Sequence, residues 1–468
     1  MTPRIAVLPL ARPTFDVPYA QEMAAAAFAA LDRAGIATVG PRELLFDAAA
    51  TEAALEGLAG EQVDFVLLMQ VTFTDASMTV KIAERVAAPL GIWAFPEPRA
   101  GGRLRLNAFC GLNLAKHALG RAGRKAGWLY AAPDAPEAAA DILAMARGGQ
   151  GPAAEPVARS EATSAEDGRR ADAALAALRG ARIGLVGEHP AGFDTCRYEP
   201  AALSALAGVG VEPIRLDEVF ARARAMPADA VAQTRAGVSR DIAGLEGVDQ
   251  DQLDRSLRVY RALEGFAADR DLKGLAVRCW PEMFTDYGCA ACGPMGMMTE
   301  KGVPCACEAD VYGTVTSLLL QEIAGEPAWL VDIVDMDAAS DTGVFWHCGS
   351  APLSMADPAT PPEAQIHSNR RMPLLAQFGL RPGRVTVARI SQAMNAPKMV
   401  LAGAEMLRAP LSFTGTSGVV RFDRAAGEVA AVMMEQGLEH HVALAYGEHR
   451  PALRAAAQRM GLEIVELT

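Results

Sequence analysis

The apolar run Ala328-Trp-Leu-Val331 continues as Asp332-Ile-Val-Asp335-Met-Asp337, three carboxylates in a stretch that otherwise reads as a buried strand. Burying an ionised carboxylate without a partner costs several kcal/mol, so the fold must bring cations or a metal ion to such groups. Two nearby stretches offer partners. Cys305-Ala-Cys307-Glu308-Ala-Asp310-Val-Tyr-Gly313 precedes an apolar helix predicted over 311–323, and Trp346-His347-Cys348 closes the strand after Asp332. Residues at the ends of successive elements can converge although they are far apart in sequence. Glu308, Asp332 and an imidazole therefore predict a metal site built from two carboxylates and one histidine.

The rest of the chain reads as alternating strands and helices. Strands are predicted at 4–10, 64–69 and 90–95, with helices over 19–34 and 77–86. That spacing indicates a parallel sheet with helices on its faces. Residues 148–168 are small, polar and aperiodic and are expected to form a linker or long surface loop. A second α/β unit follows, with helices near 170–179 and 251–269 and strands at 181–187 and 275–279. Past Pro352, short strands at 384–390, 398–401 and 418–422 are separated by Pro, Gly and Asn turns, the texture of an antiparallel barrel or sandwich. The tail returns to α/β, with a strand over 440–446, a helix over 449–460 and a strand over 462–467. The expected architecture is α/β: two Rossmann-like domains with parallel sheets, 1–168 and 169–350, then a β-rich, barrel-like domain over 351–468.

At 468 residues the chain exceeds one simple core. A formal charge of −12 without Lys/Arg blocks argues against a nucleic-acid partner. No window suits a membrane span or a signal peptide, so the expected location is the cytoplasm, with the eight cysteines reduced.

Each constellation has a plainer reading. The acids can cap helices or pair with arginines at the surface, the reading preferred for Asp310, Asp335 and Asp337. His440 and His441 stand in a predicted strand, where adjacent residues face opposite ways, so at most one is expected to reach a given site. Cys289-Ala-Ala-Cys292 with Cys305-Ala-Cys307 has the outline of a Cys₄ zinc site, but the one-residue gap in the second pair disfavours it, and buried cysteines commonly act as small hydrophobes. Gly184-Leu-Val-Gly187 lacks both phosphate-loop patterns. No G-x-S-x-G elbow is present, and Cys348 beside His347 is a weak nucleophile candidate.

Taken together, Cys307-Glu308-Ala-Asp-Val-Tyr-Gly313, the acidic strand at Asp332, Trp346-His-Cys-Gly-Ser-Ala-Pro352 and His440-His441-Val-Ala-Leu-Ala-Tyr-Gly447 resemble the L-fucose isomerase / L-arabinose isomerase superfamily, in order from about residue 180 to the C-terminus. The resemblance implies Mn²⁺ (or Mg²⁺ or Co²⁺) held by Glu308, Asp332 and His441, with His347 completing the site as in the arabinose enzymes. Glu308 and Asp332 would also be the acid/base pair. It further implies a trimer or hexamer in which a neighbour's N-terminal domain closes the pocket, with Arg12, Asp16 and the loop Asn107-Ala-Phe-Cys-Gly111 as its substrate contacts. Trp280, Trp346 and Phe345 would be hydrophobic walls. The chain is shorter than typical L-fucose isomerases, which leaves the sugar open among pentoses, 6-deoxyhexoses and 6-substituted hexoses. The implied reaction interconverts an aldose and a ketose through a cis-enediol. Two alternatives remain at this stage: a sugar-binding or regulatory protein, and a metal-dependent aldolase or epimerase passing through an enediolate.

Overall fold

A computed structural model of the chain describes residues 3–157 and 163–468; residues 158–162, inside the expected linker, lie outside the described residues. The first five strands, β1 (Ile5–Leu10), β2 (Thr38–Val39), β3 (Phe65–Gln70), β4 (Leu90–Ala94) and β5 (Ala126–Tyr130), form a parallel sheet in the order β2-β1-β3-β4-β5. Strands β1, β3 and β4 are buried along their whole length, which is why they are apolar at consecutive positions rather than at alternate ones.

The helix predicted over 170–179 begins earlier, at Ala165. Ser164 and Asp167 close a capping box there, each side chain accepting from the other residue's backbone N–H. Four more strands, β6 (Arg182–Val186), β7 (Gly210–Ile214), β8 (Leu272–Val277) and β9 (Cys305–Ala306), make a second parallel sheet in the order β7-β6-β8-β9.

The remaining strands are β10 (Trp329–Asp337), β11 (Thr342–His347), β12 (Glu363–Gln365), β13 (Leu375–Gly379), β14 (Gly383–Ser391), β15 (Lys398–Leu407), β16 (Thr416–Phe422), β17 (His441–Tyr446) and β18 (Glu463–Glu466). Strands β16-β11-β10-β17-β14-β15 pair antiparallel in turn, and β15 pairs back with β16, closing a six-stranded barrel. Closure removes the exposed strand edges that an open sheet would present. The barrel takes its first two strands, β10 and β11, from residues before the expected boundary at 350.

The segment expected as a loop at Asn107–Gly111 is instead the start of a buried helix, Ala108–Arg121. Its small and apolar residues let it pack closely between the first sheet and the barrel. Cys110 Sγ lies 3.5 Å from the Ile333 carbonyl, and His117 Nδ1 lies 2.9 Å from that of Gly437. One apolar core accordingly runs from the first sheet into the barrel. No helix among the described residues is long and apolar enough to cross a membrane.

Candidate active site

One cavity forms where the carboxyl ends of both parallel sheets meet the barrel. Arg12 follows β1, Phe73 follows β3, Trp280 follows β8 and Glu308 follows β9, and all four line it. Ligands of open α/β sheets bind outside strand carboxyl ends for the same topological reason. From the barrel come Asp332, Trp346 and His347. Register explains their meeting: Asp332 on β10 lies opposite Trp346 on β11 and opposite His441 on β17. Directly paired residues project from the same face of a sheet.

Glu308 and Ala309 both adopt left-handed backbone conformations, with φ of 56° and 55°. Non-glycine residues pay of order 1 kcal/mol or more for this, and such strain collects at functional sites. Here it turns the Glu308 carboxylate into the cavity. Oε1 accepts from Trp280 Nε1 at 3.2 Å, while Oε2 lies 3.2 Å from His440 Nε2 and 3.7 Å from His441 Nε2. Burial by itself would raise this carboxyl group. The His440 hydrogen bond and the neighbouring imidazoles outweigh it and hold Glu308 down at about 2, so it stays ionised.

His441 is the hub. Its Nε2 lies 3.3 Å from Asp332 Oδ1, and its Nδ1 lies 2.9 Å from Asp310 Oδ2. Asp310 also accepts from the backbone N–H of Gly313, capping the helix Val311–Ala324, and is paired with Arg389 at 2.5 and 3.1 Å. Asp310 and Arg389 are almost wholly buried, at 0% and 2% exposure, so the expectation of a surface role for Asp310 is wrong. Burial opposes ionisation of Asp310, but the Arg389 charge and the His441 contact overcome it and keep it a carboxylate. Asp310 therefore takes the Nδ1 proton of His441 as a hydrogen bond, and Nε2 faces Glu308, Asp332 and, at 3.3 Å, Cys307 Sγ. A carboxylate behind an imidazole in this way is what fixes a metal-ligating histidine.

His347 is in the opposite state. The backbone N–H of Cys348 donates to its Nδ1 at 2.8 Å, which places the ring proton on Nε2, 2.6 Å from Cys307 Sγ. Burial lowers its basicity and keeps the ring neutral. Cys307, His347 and His441 place potential ligand atoms within 4.8 Å of one another, so His347 stands beside the expected ligand His441. His440 departs from expectation. It precedes β17, so strand alternation does not apply, and it stacks on His441 at 3.9 Å and reaches Glu308.

The donors fit a divalent ion on an observation internal to the structure. Asp332 Oδ1 is buried and has no hydrogen-bond partner, yet it faces His441 Nε2. An orphaned carboxylate oxygen, an ionised glutamate and an imidazole lone pair are the donor set of a hard or borderline cation. Glu308, His440 and His441 place potential ligand atoms within 4.8 Å of one another. Among the described residues the four cysteines Cys289, Cys292, Cys305 and Cys307 do not come together as one such group, which removes the Cys₄ reading; Cys307 groups instead with His347 and His441.

Of the other expected contacts, Arg12, Asn107, Trp280 and Trp346 line the cavity. Asn107 Oδ1 is buried without a partner, while the Trp346 indole N–H is held by the Thr414 carbonyl. Asp16 does not line it. It caps the helix Val17–Arg33 through the Tyr19 N–H and pairs with Arg105 at 2.8 Å. Phe345 points to the other side of its strand, against Phe422. Arg12 and Asn107 reach the cavity from the same chain as Glu308. Sequence reasoning missed Arg370, Asn369 and His367, which also line the cavity. They lie in His367-Ser-Asn-Arg-Arg-Met372, which carries no periodic or motif signal.

Both parallel sheets and the barrel converge on this carboxylate–histidine site, and similarity to known proteins supports an aldose–ketose isomerase. A family model described as the N-terminal domain of fucose/sulfoquinovose isomerases matches residues 6–148. Relatives match along nearly the whole chain. A sulfoquinovose isomerase of Priestia megaterium is 28% identical over 97% of both chains. Those of Alkalicoccus urumqiensis and Clostridium sp. (strain MSTE9) are 26% and 27% identical over 98% of both. The N-terminal match and the full-length similarities support membership in the fucose isomerase-like superfamily.

Proposed function

We propose that this enzyme interconverts the aldose and ketose forms of a 6-substituted hexose through a cis-enediol, with Glu308 and Asp332 as the acid/base pair. The substituent follows the relatives' names, since sulfoquinovose is a hexose carrying a sulfonate at C6. The observation that carries the chemistry is the unpartnered, buried Asp332 Oδ1 facing His441 Nε2, with the ionised Glu308 3.7 Å from the same nitrogen.

Isomerisation moves a proton between C1 and C2, and the C–H involved is a weak acid. Glu308, kept ionised by His440, accepts one proton, and Asp332 handles the other on the facing side of the enediol. Such groups each contribute about 10²–10⁴-fold. The Trp280 N–H fixes one Glu308 oxygen, which aims the other at the substrate. His441 is held in one tautomer by Asp310, and Arg389 keeps Asp310 charged. Trp280 and Trp346 keep water from the reacting carbons. A divalent ion held by Glu308, Asp332 and His441, with Mn²⁺ the first choice and Mg²⁺ or Co²⁺ alternatives, would supply Lewis-acid stabilisation of charge developing on O1 and O2.

A cytoplasmic location and assembly as a trimer or hexamer belong to the same proposal and rest on the family resemblance; light scattering of the purified enzyme tests the assembly. The chemistry is tested by incubating the enzyme and its Glu308→Gln variant with Mn²⁺ and a panel of pentoses, 6-deoxyhexoses and 6-substituted hexoses. A ketose formed from a 6-substituted hexose by the wild type alone supports the proposal. Cleavage products, or an active variant, would refute it.

A further inference from the structure

Arg12, Asn369 and Arg370 line the same cavity as Glu308 and Asp332. The Arg12 and Arg370 guanidinium groups lie over the Trp280 ring, 5.0 and 5.2 Å from its centre, and the indole N–H donates to Glu308. Burial and the Arg12 charge lower the basicity of Arg370, and the carboxylates lining the cavity are Glu308 and Asp332. Arg12 has only a long contact, 3.4 Å, with Asp75. Arg370 makes no ion pair and no side-chain hydrogen bond among the described residues, and half-buried it rests on the Trp280 and Phe284 rings. A guanidinium cannot shed its charge, so an unpaired Arg370 in a partly desolvated space, beside an Arg12 held only by the long Asp75 contact, calls for an anion.

The loop around Arg370 is built for that purpose. His367 Nδ1 accepts the backbone N–H groups of both Asn369 and Arg370, at 3.2 and 3.3 Å, and the His367 and Met372 backbones close the turn. Burial drives His367 down to about 3, so its ring stays neutral and able to accept. Asn369 Oδ1 is occupied by Arg103 Nε at 2.7 Å, which leaves the Nδ2 hydrogens to donate.

We propose that Arg370, with Arg12 and the Asn369 amide, binds the anionic group on C6 of the substrate and thereby selects charged over neutral hexoses. An open-chain hexose with C1 and C2 at Glu308 and Asp332 extends its far end across the breadth of the Trp280 indole to these donors. The inference rests on the proposed 6-substituted substrate and adds which charge the substituent carries and which residues read it. An oxyanion with several acceptor oxygens matches planar guanidinium donors, a chemistry shared by C6 sulfonate, phosphate and carboxylate.

The test measures kcat/KM with Mn²⁺ present for hexoses bearing C6 sulfonate, C6 phosphate, C6 carboxylate or a plain C6 methyl. The wild type is compared with Arg370→Gln, Arg370→Lys and Arg12→Gln. For the preferred anionic sugar, Arg370→Gln is expected to reduce the ratio of its kcat/KM to that of the 6-deoxy sugar about 30-fold or more, through KM, with Arg370→Lys recovering part of the loss. A variant that merely folds poorly lowers both rates and leaves the ratio unchanged. An unchanged ratio in both the Arg370→Gln and Arg12→Gln variants overturns this assignment while leaving the isomerase intact. A wild type that converts only the uncharged sugar overturns the assignment and the 6-substituted substrate together. The arm with the highest wild-type kcat/KM names the anion.

Discussion

In one part of the cavity the ionised Glu308 and the orphaned Asp332 oxygen present lone pairs around His441 Nε2; in another, Arg12, Arg370 and the Asn369 amide present hydrogens. The first end is supported from behind by a buried ion pair, Asp310 with Arg389, and the second by a neutral imidazole, His367, inside a tight turn. The difference teaches how a sugar with similar hydroxyls along its length is held in one direction. The lone-pair end suits a cation and the C1–C2 oxygens, the donor end suits an anion, and the Trp280 indole spans the space between.

The comparison breaks most visibly at the reacting end. Glu308→Gln removes the charge and the proton acceptor while keeping the shape, so kcat is expected to fall by about 10³-fold or more, with the thermal midpoint retained. Steady-state kinetics and a melting curve check both halves.

Asp310→Asn reaches the same end from behind. Metal affinity is expected to fall about 10–100-fold, because the His441 tautomer is no longer enforced. Stability is expected to fall by about 3–5 kcal/mol, because Arg389 is left buried without its anion. Metal titration calorimetry and urea unfolding read the two effects separately.

The donor end is sharpened by pH. Burial holds His367 near 3 against an ordinary value of 6.5. Protonation of this ring therefore favours the unfolded chain: its contribution to stability is complete above about 6.5 and is lost as pH falls toward 3. His367→Gln, which keeps an acceptor but does not titrate, is expected to flatten the fall in urea midpoint between pH 6.5 and 4. An equally steep fall in the variant would contradict the role given to His367.

The smallest effect is expected outside both ends. Asp16→Ala removes a helix cap and the Arg105 pair, costing about 1 kcal/mol, and should leave KM for the substrate unchanged. A raised KM would return Asp16 to the substrate contacts.

What the sequence carried and what it withheld divide along physical lines. Glu308 and Asp332 stood out because a carboxylate in apolar text is costly, and both approach the same nitrogen, His441 Nε2. Asp310 was legible as a helix cap three residues before Gly313, but its partner Arg389 is 79 residues away and reaches it only once the barrel closes. His440 was misjudged because alternation was applied one residue beyond the true start of β17. The donor end was invisible: His367-Ser-Asn-Arg-Arg-Met372 has the composition of any surface loop, and only tertiary packing against Trp280 and Phe284 distinguishes Arg370. The parallel sheets were readable from strand–helix alternation, whereas the helix Ala108–Arg121 was taken as a loop at its start, where Asn107 is left-handed and Gly111 interrupts the pattern.

The most direct test is the rate of ketose formation from a C6-sulfonated hexose by enzyme stripped of metal and then titrated with Mn²⁺, with Glu308→Gln run in parallel. The account predicts no turnover in the stripped enzyme, a saturable return of activity as Mn²⁺ is added, and silence in the variant throughout. Full activity at a verified metal content far below one ion per chain, or turnover by the variant, would contradict it.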